Sequence, residues 1–469
     1  MNSKYARLFK NTGILAISNF SSKILVFFLV PLYTSILSTE EYGVYDLLVS
    51  TIELLFPILT VNIVDSVMRF SMEKDAKHTK IFSNAIRLVV FGVFFVGILL
   101  FLNRILNLFD DIYGLEHLVL LYYFFYVTNQ LLIQFAKGLE KIKELGVSGV
   151  VSVIVTILAN ILFLIVFQWG FVGFFVASIL GFASAVVYLS ITLKVWKYID
   201  ISFDNALLKQ MIAYSLPLMF SVIGWWVNSS ANKYIVAFVC GAAANGILSV
   251  ALKLPTILST LQNIFIQAWQ VSAIKEYNNE KTNAFYAETF VLLNALMCIG
   301  CSGLILLTRP LASFLFTNDF YQAWKYVPYL LISAVFNAAA GYVGPILAAK
   351  KDSKAMMRSA FYGAGVNIIC NIALVQFIGV QGAAISMLLA GYVSYLVRKK
   401  AAGQLVVSKD YKLVMISWIG LVLQATAEIW VSSYVVSIIF VLLMLCIYHK
   451  YIRLIVDSIL SLYKKLFKV

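Results

Sequence analysis

Apolar runs, each long enough as a helix to cross a bilayer, follow one another from end to end of the chain, separated by short polar stretches. They lie near residues 13–37, 44–68, 84–102, 115–136, 146–168, 170–193, 211–238, 244–270, 286–307, 325–347, 359–378, 380–397, 411–429 and 432–452, which predicts fourteen transmembrane helices. The eighth run carries the most regular polar pattern. Ser249, Lys253, Thr256, Thr260, Asn263, Gln267 and Gln270 recur at i, i+4, i+7, i+11, i+14, i+18 and i+21, the spacing of one stripe on one helix face. A lysine at such depth costs roughly 2.5–3.5 kcal/mol in hydrocarbon. The stripe is therefore expected to face water, a polar partner or a ligand.

The same pattern occurs once before. Asp46, Ser50, Glu53, Pro57 and Thr60 stand 203 positions ahead of Ser249, Lys253, Thr256, Thr260 and Asn263, and Tyr42-Gly43 aligns with Asn245-Gly246 at that offset. Further on, Thr156 and Asn160 recur as Asn367 and Asn371, and Gly170-Phe-Val-Gly173 recurs as Gly379-Val-Gln-Gly382 after a two-residue deletion. The pattern predicts an all-α polytopic membrane protein. Two pseudo-symmetric six-helix lobes, 1–200 and 201–405, should enclose a wet central cavity, with two additional C-terminal helices in 406–469.

Composition narrows the class. With 62% hydrophobic and 12% charged residues, the helices leave no room for a separate soluble domain. The net charge of +14 is unevenly placed. Basic residues gather at the ends and in alternate loops (Lys4 to Lys10, Arg69 to Arg87, Lys350 to Arg358, Arg398 to Lys412), whereas the opposite loops hold only Arg104, Arg309 and Lys325. The positive-inside rule then places both termini in the cytoplasm. The excess charge reads as topology and contact with anionic membrane lipids, not nucleic-acid binding. The run following Lys4–Lys10 reads as an uncleaved first span. Cys298 and Cys301 read as packed thiols, and the three histidines are too scattered for metal chemistry. There is no GxxxxGK[ST], HExxH or GxSxG, so neither an enzyme nor a cofactor is expected. Transport would run on gradients, on membrane potential or downhill.

Few ionisable groups lie within the runs. Lys23, with Asn19 one turn before it, sits deep in the first; Lys233 and Lys253 lie in the seventh and eighth; Asp46, Glu53 and Asp65 lie in the second. Intramembrane charges mark transport pathways by default, and here cations outnumber anions near mid-depth. Lys23, Lys233 and Lys253 are candidate cavity cations. Asp46, Ser50, Glu53, Thr60, Ser249, Thr256, Thr260, Asn263 and Gln267 form the candidate polar lining. Glu53 can neutralise Lys23 or Lys253 or carry a coupling proton, and Asp46 and Asp65 are further ion-coupling candidates. Asp65 is expected to pair with Arg69 at i, i+4. Gln130, Gln134, Asn160, Asn337, Asn367 and Asn371 read as packing or hinge residues, and Trp225-Trp226 as core.

Leu37-Ser-Thr-Glu-Glu-Tyr-Gly-Val-Tyr45, directly after Pro31-Leu-Tyr-Thr34, resembles the start of polysaccharide flippases. These are the O-antigen and exopolysaccharide repeat-unit transporters of the multidrug/oligosaccharidyl-lipid/polysaccharide exporter superfamily. Lys233-Tyr-Ile-Val and Gly246-Ile-Leu-Ser-Val-Ala-Leu-Lys253 resemble that family's approach to its eighth span. The resemblance implies a flippase of the bacterial cytoplasmic membrane. Its substrate would be an undecaprenyl-diphosphate-linked oligosaccharide, its partners a polysaccharide polymerase and ligase, and its coupling ion H+ or Na+. Lys23, Lys233 and Lys253 would then hold the diphosphate as point charges. Three other classes fit the residues less well. A lipid II flippase usually has an arginine-rich first span, whereas this one has only Lys23. A cation-coupled multidrug exporter predicts an acid-dominated cavity. A membrane glycosyltransferase or ligase needs a large catalytic outer loop.

Overall fold

The stretch Leu37–Tyr45 is a helix start. Ser38 and Glu41 close a reciprocal cap, with Glu41 N–H donating to Ser38 Oγ at 3.1 Å and Ser38 N–H donating to Glu41 Oε2 at 2.8 Å. Glu40 and Glu41 also place negative charge on the positive end of the helix. Just inside, Tyr42 stacks on Tyr33 with ring centres 4.9 Å apart, and Tyr45 OH shares a 2.9 Å hydrogen bond with Ser178. Local capping and aromatic packing thus account for Ser38, Glu41, Tyr42 and Tyr45 of this stretch.

The computed structural model describes residues 27, 29–73, 75–107, 113–200, 204–276, 282–350, 352–406 and 410–453. Every regular element among them is helical. The chain forms two compact units, 1–231 and 232–469. The first holds α1 (Val30–Ile36), α2 (Thr39–Leu59), α3 (Ile63–Ser71), α4 (His78–Leu106), α5 (Glu116–Gly138), α6 (Ile142–Asn160), α7 (Gly170–Leu193) and most of α8 (Asn205–Cys240). The second holds the end of α8, then α9 (Ala242–Ala251), α10 (Pro255–Glu276), α11 (Thr282–Leu306), α12 (Thr308–Leu315) and α13 (Val327–Ala349). It is completed by α14 (Ser353–Ile378), α15 (Val380–Ala402), α16 (Tyr411–Trp430) and α17 (Tyr434–Ile447).

Eleven helices among the described residues are long and apolar enough to cross a membrane, and α9 with α10 makes a twelfth if that bent pair is one span. The shorter α17 occupies the place of the last expected span, and most of the first lies outside the described residues. This is a polytopic helical membrane protein. In the first unit the core runs through Phe82, Tyr123, Phe135 and Leu189. In the second it is built around α13, of which nine-tenths of the spanning window is buried.

Two expected spans are not continuous. The second breaks after Pro57, where Val61 and Asn62 take left-handed backbone at φ 53° and 50° before α3 begins. The eighth bends by 48° between α9 and α10, just ahead of Pro255. Proline removes a backbone donor and disfavours helical geometry in the residue before it, here Leu254. The two-residue difference between the Gly-x-x-Gly repeats has a local cause. Residues Ile161–Val166, at the end of α6, wind as a π-helix, and Phe167–Trp169 then form a three-residue non-helical link before Gly170. The α14–α15 hairpin lacks it. Both hairpins turn on a glycine with positive φ, Gly170 at 54° and Gly379 at 58°.

Candidate functional site

Past the left-handed residues Val61 and Asn62, α3 continues along α5 and sets Asp65 against it. Asn62 Nδ2 donates to Asp65 Oδ2 at 2.7 Å, and Gln134 Nε2 donates to Asp65 Oδ1 at 2.8 Å. Both carboxylate oxygens are thus held by neutral amides. The expected Asp65–Arg69 pair does not form; Arg69 instead reaches one turn on to Glu73, at 3.1 Å. Asp65 opens onto a cavity of about 370 Å³ within the first unit. Its polar wall includes Glu53, Asn62, Asp65, Gln130, Gln134 and Ser229, and its aromatic wall Tyr126, Trp225 and Trp226. Among the described residues, no lysine or arginine lines it.

Several residues expected to serve packing prove to be wall. Gln130 and Gln134 face the cavity, and Gln134 also fixes Asp65. Trp226 anchors α8 to α2 by donating Nε1–H to the carbonyl of Ser50 at 2.8 Å, while Trp225 is 75% exposed. Neither tryptophan is core. Ser50 and Thr60 are buried, and the Thr60 hydroxyl returns to the carbonyl of Phe56 at 2.7 Å. Asp46 is half-buried, two turns before Glu53 on the same helix.

The stripe on the eighth span is divided, correcting the expectation of one continuous face. Ser249 is buried on α9, and Lys253 stands half-buried at the bend. On α10 the two faces separate cleanly. Gln262 and Trp269 dock on α13, the indole donating to the carbonyl of Tyr342 at 2.9 Å and stacking on its ring at 4.4 Å. Asn263, Gln267 and Gln270 lie on the opposite side and are exposed, with Thr260 back-bonded to Thr256 at 2.7 Å. The polar face of α10 is therefore turned away from the helix against which it packs.

Lys233 lies half-buried near the end of α8, in the second unit. One residue before it, Asn232 accepts a short hydrogen bond from Asn371, and Asn367 is buried on the same helix as Asn371. Lys23 lies outside the described residues.

Residues 8–270, more than half of the chain, match the family described as polysaccharide biosynthesis protein. The chain belongs to that family. No curated protein matches it in sequence. In structure, this polysaccharide biosynthesis protein is similar to the lipid II flippase MurJ in its inward closed conformation, with a TM-score of 0.70 at 14% identity over 95% of this chain and 99% of that one. It is also similar to the inward-facing conformation of a multidrug resistance MATE family transporter of the MOP superfamily, with a TM-score of 0.65 at 14% identity over 83% and 98% of the two chains. A MOP superfamily transporter from Pyrococcus furiosus aligns at 0.53 and 14% identity, over 85% of this chain and 94% of that one. The fold of the polysaccharide biosynthesis protein is thus that of the MOP transporters and flippases.

Asn62 and Tyr126 were missed by sequence reasoning. A signal existed for the first, since asparagine is the residue after glycine most at home in left-handed backbone and Pro57 precedes it in the same apolar run. Tyr126 sits in an aromatic run, Tyr122-Tyr-Phe-Phe-Tyr126, that does not distinguish its members.

Proposed function

We propose that this protein moves an undecaprenyl-diphosphate-linked oligosaccharide repeat unit from the cytoplasmic to the outer leaflet of the bacterial cytoplasmic membrane. It would do so by alternating access, with both termini in the cytoplasm, and would feed the polymerase and ligase of O-antigen, capsule or exopolysaccharide assembly. The observation that carries the reading is the face of α10. Thr256, Thr260, Asn263 and Gln267 present hydroxyls and amides on the side opposite its packing contact, the chemistry a sugar requires. Lys253 stands where the helix bends, and with Lys23 and Lys233 it would supply point charges to the diphosphate.

Energetics favour the outward direction. An inside-negative membrane moves an anion out with about 2.3 kcal/mol per charge per 100 mV. Glu53 and Asp65, which line one cavity, suit an exchanging proton or sodium ion, with Asp46 two turns before Glu53 on the same helix. Lys253→Ala and Lys23→Ala should each abolish surface polysaccharide while the protein stays in the membrane. Normal polymer in both variants would defeat the assignment of these cations.

A second reading has one observation in its favour. Carboxylates beside Tyr126, Trp225 and Trp226 also suit an organic cation. Efflux of a cationic dye that disappears in Glu53→Gln, with polysaccharide unchanged, would turn the assignment toward multidrug export.

A further inference from the structure

At the lysine-rich end of the second unit, α15 lies along both α13 and α14 while those two hardly meet, so α15 forms the floor between them. Arg398 projects from that floor, four residues before the end of α15. So near a helix end, a long side chain can extend outward to solvent at little cost. Arg398 instead bridges inward. Its Nε donates to Ser359 Oγ on α14 at 2.8 Å, and its Nη1 donates to the carbonyl of Ala340 on α13 at 2.9 Å. Ala340 lies about 13 Å from the end of α13 at 1.5 Å per residue. Both partners are neutral, and a guanidinium has five N–H donors, so most of its capacity stays available.

Two more cations share this end. Lys350 Nζ donates to the carbonyl of Ala401 at 2.9 Å, and Lys399 Nζ stands 3.9 Å from the centre of the Tyr411 ring. The acids nearby in sequence have other tasks. Asp352 caps α14 by accepting from Ala355 N–H at 3.0 Å, and Asp410 accepts from Tyr451 OH at 2.5 Å and lies 4.0 Å from Lys450. Among the described residues, no carboxylate matches Lys350, Arg398 or Lys399. Cations at the lysine-rich end of the first unit are matched differently. There Lys80 pairs with Asp200 at 2.8 Å, and Arg87 is shared between Asn84 and the Asp200 carbonyl.

Taking positive charge partly out of water without an anion is unfavourable, and arginine matches phosphate geometry in a bidentate fork. We infer that the groove between α13 and α14 binds a phosphate-bearing lipid head group, with Arg398 as the fork and Lys350 and Lys399 as flanking charges. This inference goes beyond the proposed transport and does not depend on it.

The test uses the purified full-length chain in nanodiscs of phosphatidylcholine, alone or doped with phosphatidylglycerol or with undecaprenyl diphosphate. Lipid retained per protein is counted by native mass spectrometry. Wild type should retain the anionic lipid, and Arg398→Gln should weaken retention about tenfold, the worth of one charge-assisted hydrogen bond. Preference for undecaprenyl diphosphate would make the groove a loading site for a diphosphate lipid, and equal retention of phosphatidylglycerol would make it a site for bulk membrane lipid. Two controls separate binding from folding. Lys350→Gln, on an exposed side chain, should weaken retention without moving the thermal midpoint in pure phosphatidylcholine, and Ser359→Ala should keep retention. Retention unchanged in both Arg398→Gln and Lys350→Gln overturns the inference, as does loss in Ser359→Ala with none in Lys350→Gln.

Discussion

The two broken spans carry their polar residues at a constant offset of 203, yet the chain breaks at unrelated places. In the first unit the break falls at Val61–Asn62, late in the span; in the second it falls ahead of Pro255, early in it. The consequences diverge. After the late break α3 brings Asp65 to the cavity that Glu53 also faces, its carboxylate held by the amides of Asn62 and, on α5, Gln134. The early break leaves Thr256 to Gln270 on one uninterrupted helix whose other face is locked to α13. A duplicated pattern of residue types has thus been put to two uses, a walled acidic cavity and an open polar face.

The remaining buried polar groups extend the contrast. In the second unit they join helices. Arg309 Nε lies 3.0 Å from the buried Glu428 carboxylate, Ser302 and Gln424 bond reciprocally, and Trp418 donates to Asn294 at 3.1 Å. These pairs fix α16 along α11 and α12, so the C-terminal helices are part of that unit's core. Breaking them should cost the most. Glu428→Ala should lower stability by about 3–5 kcal/mol by stranding a buried arginine, read as a drop in thermal midpoint of the detergent-solubilised protein.

The first unit should respond less in stability and more in transport. Asp65→Ala strips two amides of their acceptor and is expected to cost about 1–3 kcal/mol, with loss of ion-driven flux in proteoliposomes. If flux survives, the acidic cavity has no part in coupling. On α10 the two faces can be set against each other directly. Trp269→Phe, on the packed face, should cost about 1 kcal/mol with transport retained. Thr260→Ala or Gln267→Ala, on the open face, should leave stability within about 0.5 kcal/mol while surface polysaccharide falls. Equal behaviour of the two faces would erase the distinction between them.

Helix positions were legible because hydropathy and a 3.6-residue period are local properties. That Thr256, Thr260, Asn263 and Gln267 share one face of α10 was legible for the same reason. The breaks were only partly so. Leu254, held back from helical geometry by Pro255, was a readable sign, whereas the left-handed break at Asn62 comes three residues after α2 ends and five after its proline. The partner of Asp65 was not legible at all. Arg69 is four residues away and Gln134 sixty-nine, and spacing along one helix says nothing about a contact made across two. Arg309 was read from charge as an ordinary loop residue, yet it is the cation of a buried ion pair.

The wide turn at Ile161–Val166 has a practical use. It leads into the non-helical link Phe167–Trp169, where the two residues by which this hairpin exceeds its twin are taken up. Excising two residues there should yield a hairpin that superimposes on its later twin. The same spot offers a place to insert a spectroscopic probe and follow one half of the molecule as it works.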